Sequence, residues 1–300
     1  MRESVVEPTR HQLSAGGLPL VQAARATPES LSAGTVADSE ERLRMWLTGT
    51  GTPFPLPGRA GPSTLLQAGG ELLLVDCGNS CAYQIQRLGF DWRQVTHIFI
   101  THHHVDHNAD LAYFLLSGWM TGRTTPPNVI GPPGTLEYVN RTLAAQDYDI
   151  RVRVPHGKDP EQLRVRVVEV EDGDRITSAG WRATAFRVDH MPVDQAFGYR
   201  FDAGGRSVVI SGDTRPCDNL VKHAQGVDVL IHEAIYPGFG IPSYHTLAAD
   251  VGKVAARARA KHLVLTHLLP GHLPDEQWLR DISPHYDGPV TVGQDLLEID

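Results

Sequence analysis

The sequence predicts an α/β fold in four layers, two β-sheets packed face to face with helices outside, αββα. Three observations lead there. Short apolar, β-branched runs such as Val95 to Ile100, Ser207 to Ile210 and His262 to Thr266 are too compact for helices and read as buried strands. Helical stretches lie between them, and from Leu163 onward the apolar period becomes two, as in strands with one covered face. Interleaved strands and covering helices are satisfied by two sheets sharing a core.

In chain order, residues 1 to 41 are rich in Ala, Ser, Gly, Pro and Glu without a sustained period and read as a loosely structured arm, packed on the body or on a partner subunit. Residues 42 to 300 form the expected main domain. Arg42 to Thr50 is its first strand, followed by the Gly/Pro-dense stretch Thr48 to Arg59, which reads as a tight turn because its spacing is not that of a nucleotide-binding loop. Ser63 to Ala68 and Glu71 to Asp76 are strands joined by Gly69-Gly70, a two-residue hairpin signal. Cys81 to Leu88 and Ala109 to Met120 read as helices, the second apolar almost all round and therefore buried. Pro127 to Gly131 is a short strand and Thr135 to Ala145 a helix.

In the second half, Trp181 to Val188 and Gln195 to Asp202 are strands, and Val227 to Ile231 joins the buried candidates. Asp218 to Ala224 and Thr246 to Ala260 are helices. The latter carries Leu247, Val251, Val254, Ala255 and Ala258 on one stripe, with Thr246 placed as its N-cap. Arg151, Arg153, Arg164 and Arg166 are read as a solvated strand face rather than a polyanion site.

Composition narrows the function classes. The 300 residues are 41% hydrophobic, enough for a sizeable core, and the formal net charge of −8 gives no global attraction to nucleic acid or anionic membrane. Three cysteines argue against a disulfide framework and suit a reducing compartment. With no export signal and no apolar stretch of membrane-spanning length, a cytoplasmic protein is expected.

The chemistry gathers at Thr101-His-His-His-Val-Asp-His107, directly after a buried strand. If the backbone stays extended, His102, His104 and Asp106 share one face, with His107 just beyond, while His103 and Val105 point away. Imidazoles with a carboxylate and no thiolate suit zinc, manganese or iron and leave room for a reactive water. Three more candidates end other strands: His190, Asp213 within Ser-Gly-Asp-Thr, and His267 within Leu-Thr-His.

Taken with Gly49-Thr-Gly-Thr-Pro, Asp76-Cys-Gly, Ser211-Gly-Asp-Thr-Arg-Pro-Cys, His232-Glu-Ala and Tyr244-His-Thr, these stretches resemble the metallo-β-lactamase superfamily, in the branch of ribonuclease Z and arylsulfatase-like hydrolases, from Arg42 to about His272. The resemblance implies the four-layer metallo-β-lactamase sandwich and a dinuclear site. One ion would be held by His102, His104 and His190, the other by Asp106, His107 and His267, with Asp213 bridging. Zinc is the usual metal of the family, and manganese or iron also occurs. Two such ions would lower the pKa of a bridging water enough to give hydroxide near neutral pH. Asp106 is a candidate orienter or base for that water. His245, positioned by Glu233, is implied as the group that meets the phosphoryl oxygen or protonates the leaving oxygen.

Ribonuclease Z usually carries a Gly/Pro-rich arm that clamps tRNA between the third histidine motif and Gly-Asp-Thr. Here Met191 to Ile210 is short. The expected substrate is therefore a small phosphate or sulfate ester, with RNA less favoured, no membrane partner and a homodimer left open. Hydrolysis of a carboxyl ester, thioester, lactone or β-lactam on the same ions is the alternative. Iron-dependent oxidoreduction ranks lower, because flavin-linked di-iron members have Glu where this chain has His104.

Overall fold

The computed structural model describes residues 20–25, 42–178, 180–237 and 244–300. Its strands in chain order are β1 (Val21–Arg25), β2 (Arg44–Gly49), β3 (Ser63–Ala68), β4 (Glu71–Val75), β5 (Val95–Phe99), β6 (Asn128–Gly131), β7 (Val165–Glu169), β8 (Arg175–Ser178), β9 (Trp181–Arg187), β10 (Phe197–Ala203), β11 (Arg206–Ile210), β12 (Val229–Ile235), β13 (Leu263–Leu269), β14 (Val290–Val292) and β15 (Leu297–Ile299). One sheet has the order β1-β7-β6-β5-β4-β3-β2-β15, the other β14-β13-β12-β11-β10-β9-β8. The helices are α1 (Cys81–Arg87), α2 (Val105–Asn108), α3 (Leu111–Met120), α4 (Thr135–Ala145), α5 (Asp147–Arg153), α6 (Asp218–His223), α7 (Ala248–Ala258) and α8 (Asp275–Ile282).

Alternation along the strands produces the layers. Met45, Leu66, Leu73 and Phe99 of the first sheet meet Ala185, Tyr199, Val208 and Ile231 of the second in the central core. On the outer face of the first sheet, Leu65, Leu74 and Ile98 pack under α1, α3 and α4. Val209, Leu230 and Leu265 do the same under α6, α7 and α8. Each large apolar side chain removed from water contributes about 1.5–3 kcal/mol, so a sheet covered on both faces is strongly fixed in register. The β3–β4 hairpin turns on Gly69 and Gly70, with φ of 54° and 78°, the left-handed pair that a two-residue turn requires.

Several boundaries differ from expectation for local reasons. The chain leaves the extended form after His104 and makes the single turn α2, so Asp106 and His107 sit on a helix rather than a strand. Thr246 is not the N-cap of α7: Leu247 occupies that place, and the Thr246 hydroxyl donates to the Thr214 carbonyl at 2.6 Å. Leu247 is 38% exposed, leaving the rest of its stripe to pack. Arg151 and Arg153 belong to α5, where they pair with Asp147 and Asp149 one turn earlier, and Arg164 pairs with Glu161. Strands β8, β14 and β15 and helices α5 and α8 were not legible in the sequence, being short or of weak apolar period. Within the predicted arm, β1 runs parallel to β7, and residues 1–19 and 26–41 lie outside the described residues. Among the described residues, no helix is long and apolar enough to cross a membrane.

Candidate metal centre

The β5, β11, β12 and β13 strands all deliver their C-terminal ends to one edge of the sandwich, and the histidines and aspartates converge there. His102 and His104 follow β5, Asp106 and His107 lie on α2, His190 follows β9, and Asp213 follows β11. His267 arrives differently. The β12–β13 register slips between Glu233 and Ala234, and His267 is the extra residue of the bulge, at φ 48° inside the strand rather than beyond its end. For a non-glycine residue that conformation costs of order 1 kcal/mol or more and turns the imidazole into the site.

Two groups result. His102, His104, His190 and Asp213 offer ligand atoms all within 4.8 Å of one another, and so do Asp106, His107 and His267. Asp213 Oδ2 lies between them, 3.8 and 3.9 Å from Nε2 of His102 and His190 and 3.4 Å from Nε2 of both His107 and His267. A third set, Asp213, His245 and His267, overlaps the second. All seven ligand candidates are thus brought together, and His103 turns away to Thr135 Oγ1 at 3.0 Å.

The surroundings fix which nitrogens face inward. His107 Nδ1 donates to Asp76 Oδ2 at 2.8 Å, and His190 Nδ1 to the Tyr244 carbonyl at 3.0 Å. His102 Nδ1 meets Thr101 Oγ1 at 3.0 Å, whose own hydroxyl donates to Asp76. With Nδ1 committed, each Nε2 is left as an acceptor toward the centre, the usual way an outer carboxylate or carbonyl orients a ligating histidine. Asp76 and Thr101 are functional residues that the sequence reading left without a role. The strand-end rule that found Asp213 also applies to Asp76, which ends β4.

The donor set fits a divalent cation. His107 Nε2 and Asp213 Oδ1 are buried without a hydrogen-bond partner, a costly state for polar atoms unless an ion completes them. Burial holds His190 near pKa 4 and pushes His102 well below the ordinary imidazole value, so both stand in the neutral, ligating form at pH 7. At His107 and His267 burial is outweighed by the carboxylates, Asp213 foremost, and their pKa values rise. A cation seated between them would take the place of those protons.

Beside the cluster, His245 Nδ1 donates to Glu233 Oε1 at 2.9 Å. The same oxygen accepts the backbone N–H of Thr214 at 3.1 Å and of Thr246 at 3.2 Å, so a fully buried carboxylate is held from three sides. The His245 ring lies along that of His267, centroids 5.7 Å apart. Burial lowers the His245 pKa, but the hydrogen bond and charge of Glu233 outweigh it and raise the value above the ordinary one. His245 thus combines a fixed Nδ1 with a second ring nitrogen left for other work.

The chain was compared with known families, curated proteins and solved structures. Residues 43–281 match the family model described as Anti-Pycsar protein Apyc1. The ribonuclease Z of Mycobacterium bovis (strain BCG) is 36% identical over 276 residues, covering 86% of this chain and 98% of that one. That of Mycobacterium tuberculosis is 34% identical with the same coverage. Among solved structures, the metallo-β-lactamase fold protein YhfI from Bacillus subtilis superimposes with TM-score 0.71 at 19% identity, over 87% of this chain and 100% of that one. Human tRNase Z, short form, gives 0.62 at 24%, over 86% and 98%. At these identities the two structures speak for the fold, which is the sandwich described above. By its family match and its ribonuclease Z relatives, the chain belongs to the Apyc1 family and to the ribonuclease Z-like branch of the metallo-β-lactamase-fold hydrolases.

Proposed function

We propose that this hydrolase is a phosphodiesterase that works with two divalent ions, zinc before manganese or iron. The observation that carries this reading is Asp213 Oδ2 lying between two histidine-rich groups, 3.8 and 3.9 Å from one and 3.4 Å from the other, with a Glu-held histidine alongside. His102, His104 and His190 would hold one ion, Asp106, His107 and His267 the other, and Asp213 both. Ions so placed supply Lewis acidity toward phosphoryl oxygens and a lowered pKa for water.

The side chains do the rest. Asp106 lies at the cleft edge, where a carboxylate can accept a hydrogen bond from the attacking water and align it. His245, whose pKa Glu233 raises, can in its protonated form donate from Nε2 to the leaving oxygen, so that the departing alcohol leaves neutral. Glu233 keeps the ring in the tautomer and orientation that this donation needs.

A small ester suits the chain better than tRNA. Between His190 and the Gly212-Asp213 motif lie only the β10–β11 hairpin and a short turn, without an inserted arm. The basic side chains of α5 are neutralised by acidic neighbours. Phosphate esters are favoured and sulfate esters are the secondary class. We take 42–300 as the catalytic domain, acting in the cytoplasm. Metal-loaded protein assayed in parallel on bis-(4-nitrophenyl) phosphate, 4-nitrophenyl sulfate, a β-lactam and a precursor tRNA tests the reading. Turnover of the diester is expected, and turnover of only the lactam or sulfate would sink it.

A further inference from the structure

The turn between β2 and β3 is clamped at both ends by one carboxylate from the far end of the chain. Asp295 Oδ1 accepts the backbone N–H of Thr50 at 2.9 Å and its hydroxyl at 2.7 Å. Asp295 Oδ2 accepts the backbone N–H of Ala60 at 2.6 Å and Gln84 Nε2 of α1 at 2.7 Å. Arg59 ties the same turn to the strand ends behind it. Its Nη1 donates to Thr50 Oγ1 at 2.6 Å and the Gly293 carbonyl at 2.9 Å, and its Nε to the Gly271 carbonyl at 2.8 Å. Four acceptor contacts on one carboxylate are more than a surface turn needs for closure, which Gly51 and Ala60 already supply at 2.8 Å.

What the clamp holds is part of the lining of a cleft of about 630 Å³ that also includes Asp106, one of the candidate ligands. Thr52, Pro55 and Leu56 of the turn line it together with Ser80, Val105 and Ala109. Val105 is 71% exposed, although apolar. Among the described lining residues Arg59 is the one cation, and its Nε and Nη1 are committed to the clamp. A cleft of this size, lined by prolines and aliphatics, favours a flat, uncharged group over a second phosphate.

We propose that Asp295 is a positioning residue for substrate: by fixing both ends of the Thr50–Ala60 turn, it holds the wall of a subsite that takes an uncharged, ring-bearing arm of the ester. The subsite rests on the phosphodiester reading and narrows it to diesters with an aromatic substituent beside the reacting phosphate. Replacing Asp295 by Asn keeps the shape but turns an N–H₂ group toward N–H donors, so at least one end of the turn loses its anchor.

The test is isothermal titration of metal-loaded protein with diphenyl phosphate and dimethyl phosphate. Wild type is expected to bind the diphenyl ester about tenfold more tightly. Asp295→Asn should lose that preference while keeping its metal content and its affinity for dimethyl phosphate. Thr50→Val, which removes one hydroxyl of the clamp and stays within reach of folding if Asp295→Asn does not, should lose part of it. In turnover, Asp295→Asn should raise KM for bis-(4-nitrophenyl) phosphate with kcat held. Equal wild-type affinity for the two ligands overturns the proposal. So does a folded variant that keeps the preference, or one that weakens both ligands alike. A binding preference without any diester turnover would uphold the subsite and refute the phosphodiesterase reading.

Discussion

At the residue scale, Asp213 and His245 allow the proposed roles of metal holding and proton delivery to be tested apart. Asp213 faces five imidazoles within 3.9 Å, those of His102, His107, His190, His245 and His267. Asp213→Ala is expected to lose bound metal and turnover together, read by metal analysis alongside the diester assay. His245→Ala should retain metal and lower kcat by about 10²–10⁴-fold, the usual contribution of a general acid. Full activity of that variant on every diester tried would remove His245 from the mechanism. Asp76 acts one shell further out, through His107 and Thr101, so Asp76→Asn should weaken metal affinity by about 10–100-fold in a competition titration.

A different histidine is set to weaken the fold in acid. His97, buried between the sheets against Trp181 and Glu71, accepts from Asn128 at Nε2 and has its pKa lowered to about 4, by burial first and by Arg166 second. Because the folded value lies below the unfolded 6.5, the unfolded state binds the proton more readily between the two. The residue is neutral toward stability above pH 6.5 and destabilises progressively as pH falls toward 4, by on the order of 3 kcal/mol once both states are protonated. Urea midpoints measured at pH 7 and pH 4.5 should converge in His97→Gln relative to wild type. An unchanged pH dependence would place the acid sensitivity elsewhere.

At the scale of elements, the site depends on two close backbone approaches. Gly78, between β4 and α1, packs so tightly that a Cβ there would lie 2.5 Å from the Gly61 carbonyl carbon and 2.6 Å from the Asp106 carbonyl oxygen. Both neighbours are backbone and cannot rotate away, so Gly78→Ala must displace α2 or the β2–β3 turn. A lowered melting temperature with reduced metal retention is expected, and a variant with wild-type metal content would show that α2 tolerates the shift. The other is the bulge at His267, where one extra residue in β13 converts a strand position that would face a sheet layer into one that faces the centre.

The same elements show how far sequence reading reached. Strand ends were found from short β-branched runs, and each ligand candidate was found because it ended such a run. Asp106 and His107 were assigned to the site on the assumption of extended backbone, whereas α2 presents them from a helical turn. Thr246 had the composition of an N-cap, yet its hydroxyl serves the Thr214 carbonyl and so joins α7 to the Gly-Asp-Thr loop. Local propensity cannot foresee an acceptor 32 positions away along the chain, and packing supplies it. The Asp295 clamp lay beyond reach because its partner Thr50 is 245 positions away.

At the scale of the whole molecule, the sandwich brings the carboxylates of Asp76, Asp106 and Asp213 to one edge, each less than a tenth exposed. Concentrated negative charge in a buried site is costly without a cation. Metal removal by a chelator is therefore expected to lower the melting temperature, with recovery on adding zinc, since an ion that binds only the folded chain stabilises it by mass action. A chelated protein that melts at the holo temperature would argue that protons on the histidines suffice. The sequence by itself determined the layered α/β class, the family resemblance and the ligand types, because alternation, strand-end position and donor chemistry are local properties of the chain. It took the packing of the two sheets to show that His267 enters as a bulge, that Asp76 and Thr101 hold His107 and His102, and that Asp295 ties both ends of the β2–β3 turn, because those are distances between segments far apart in the chain.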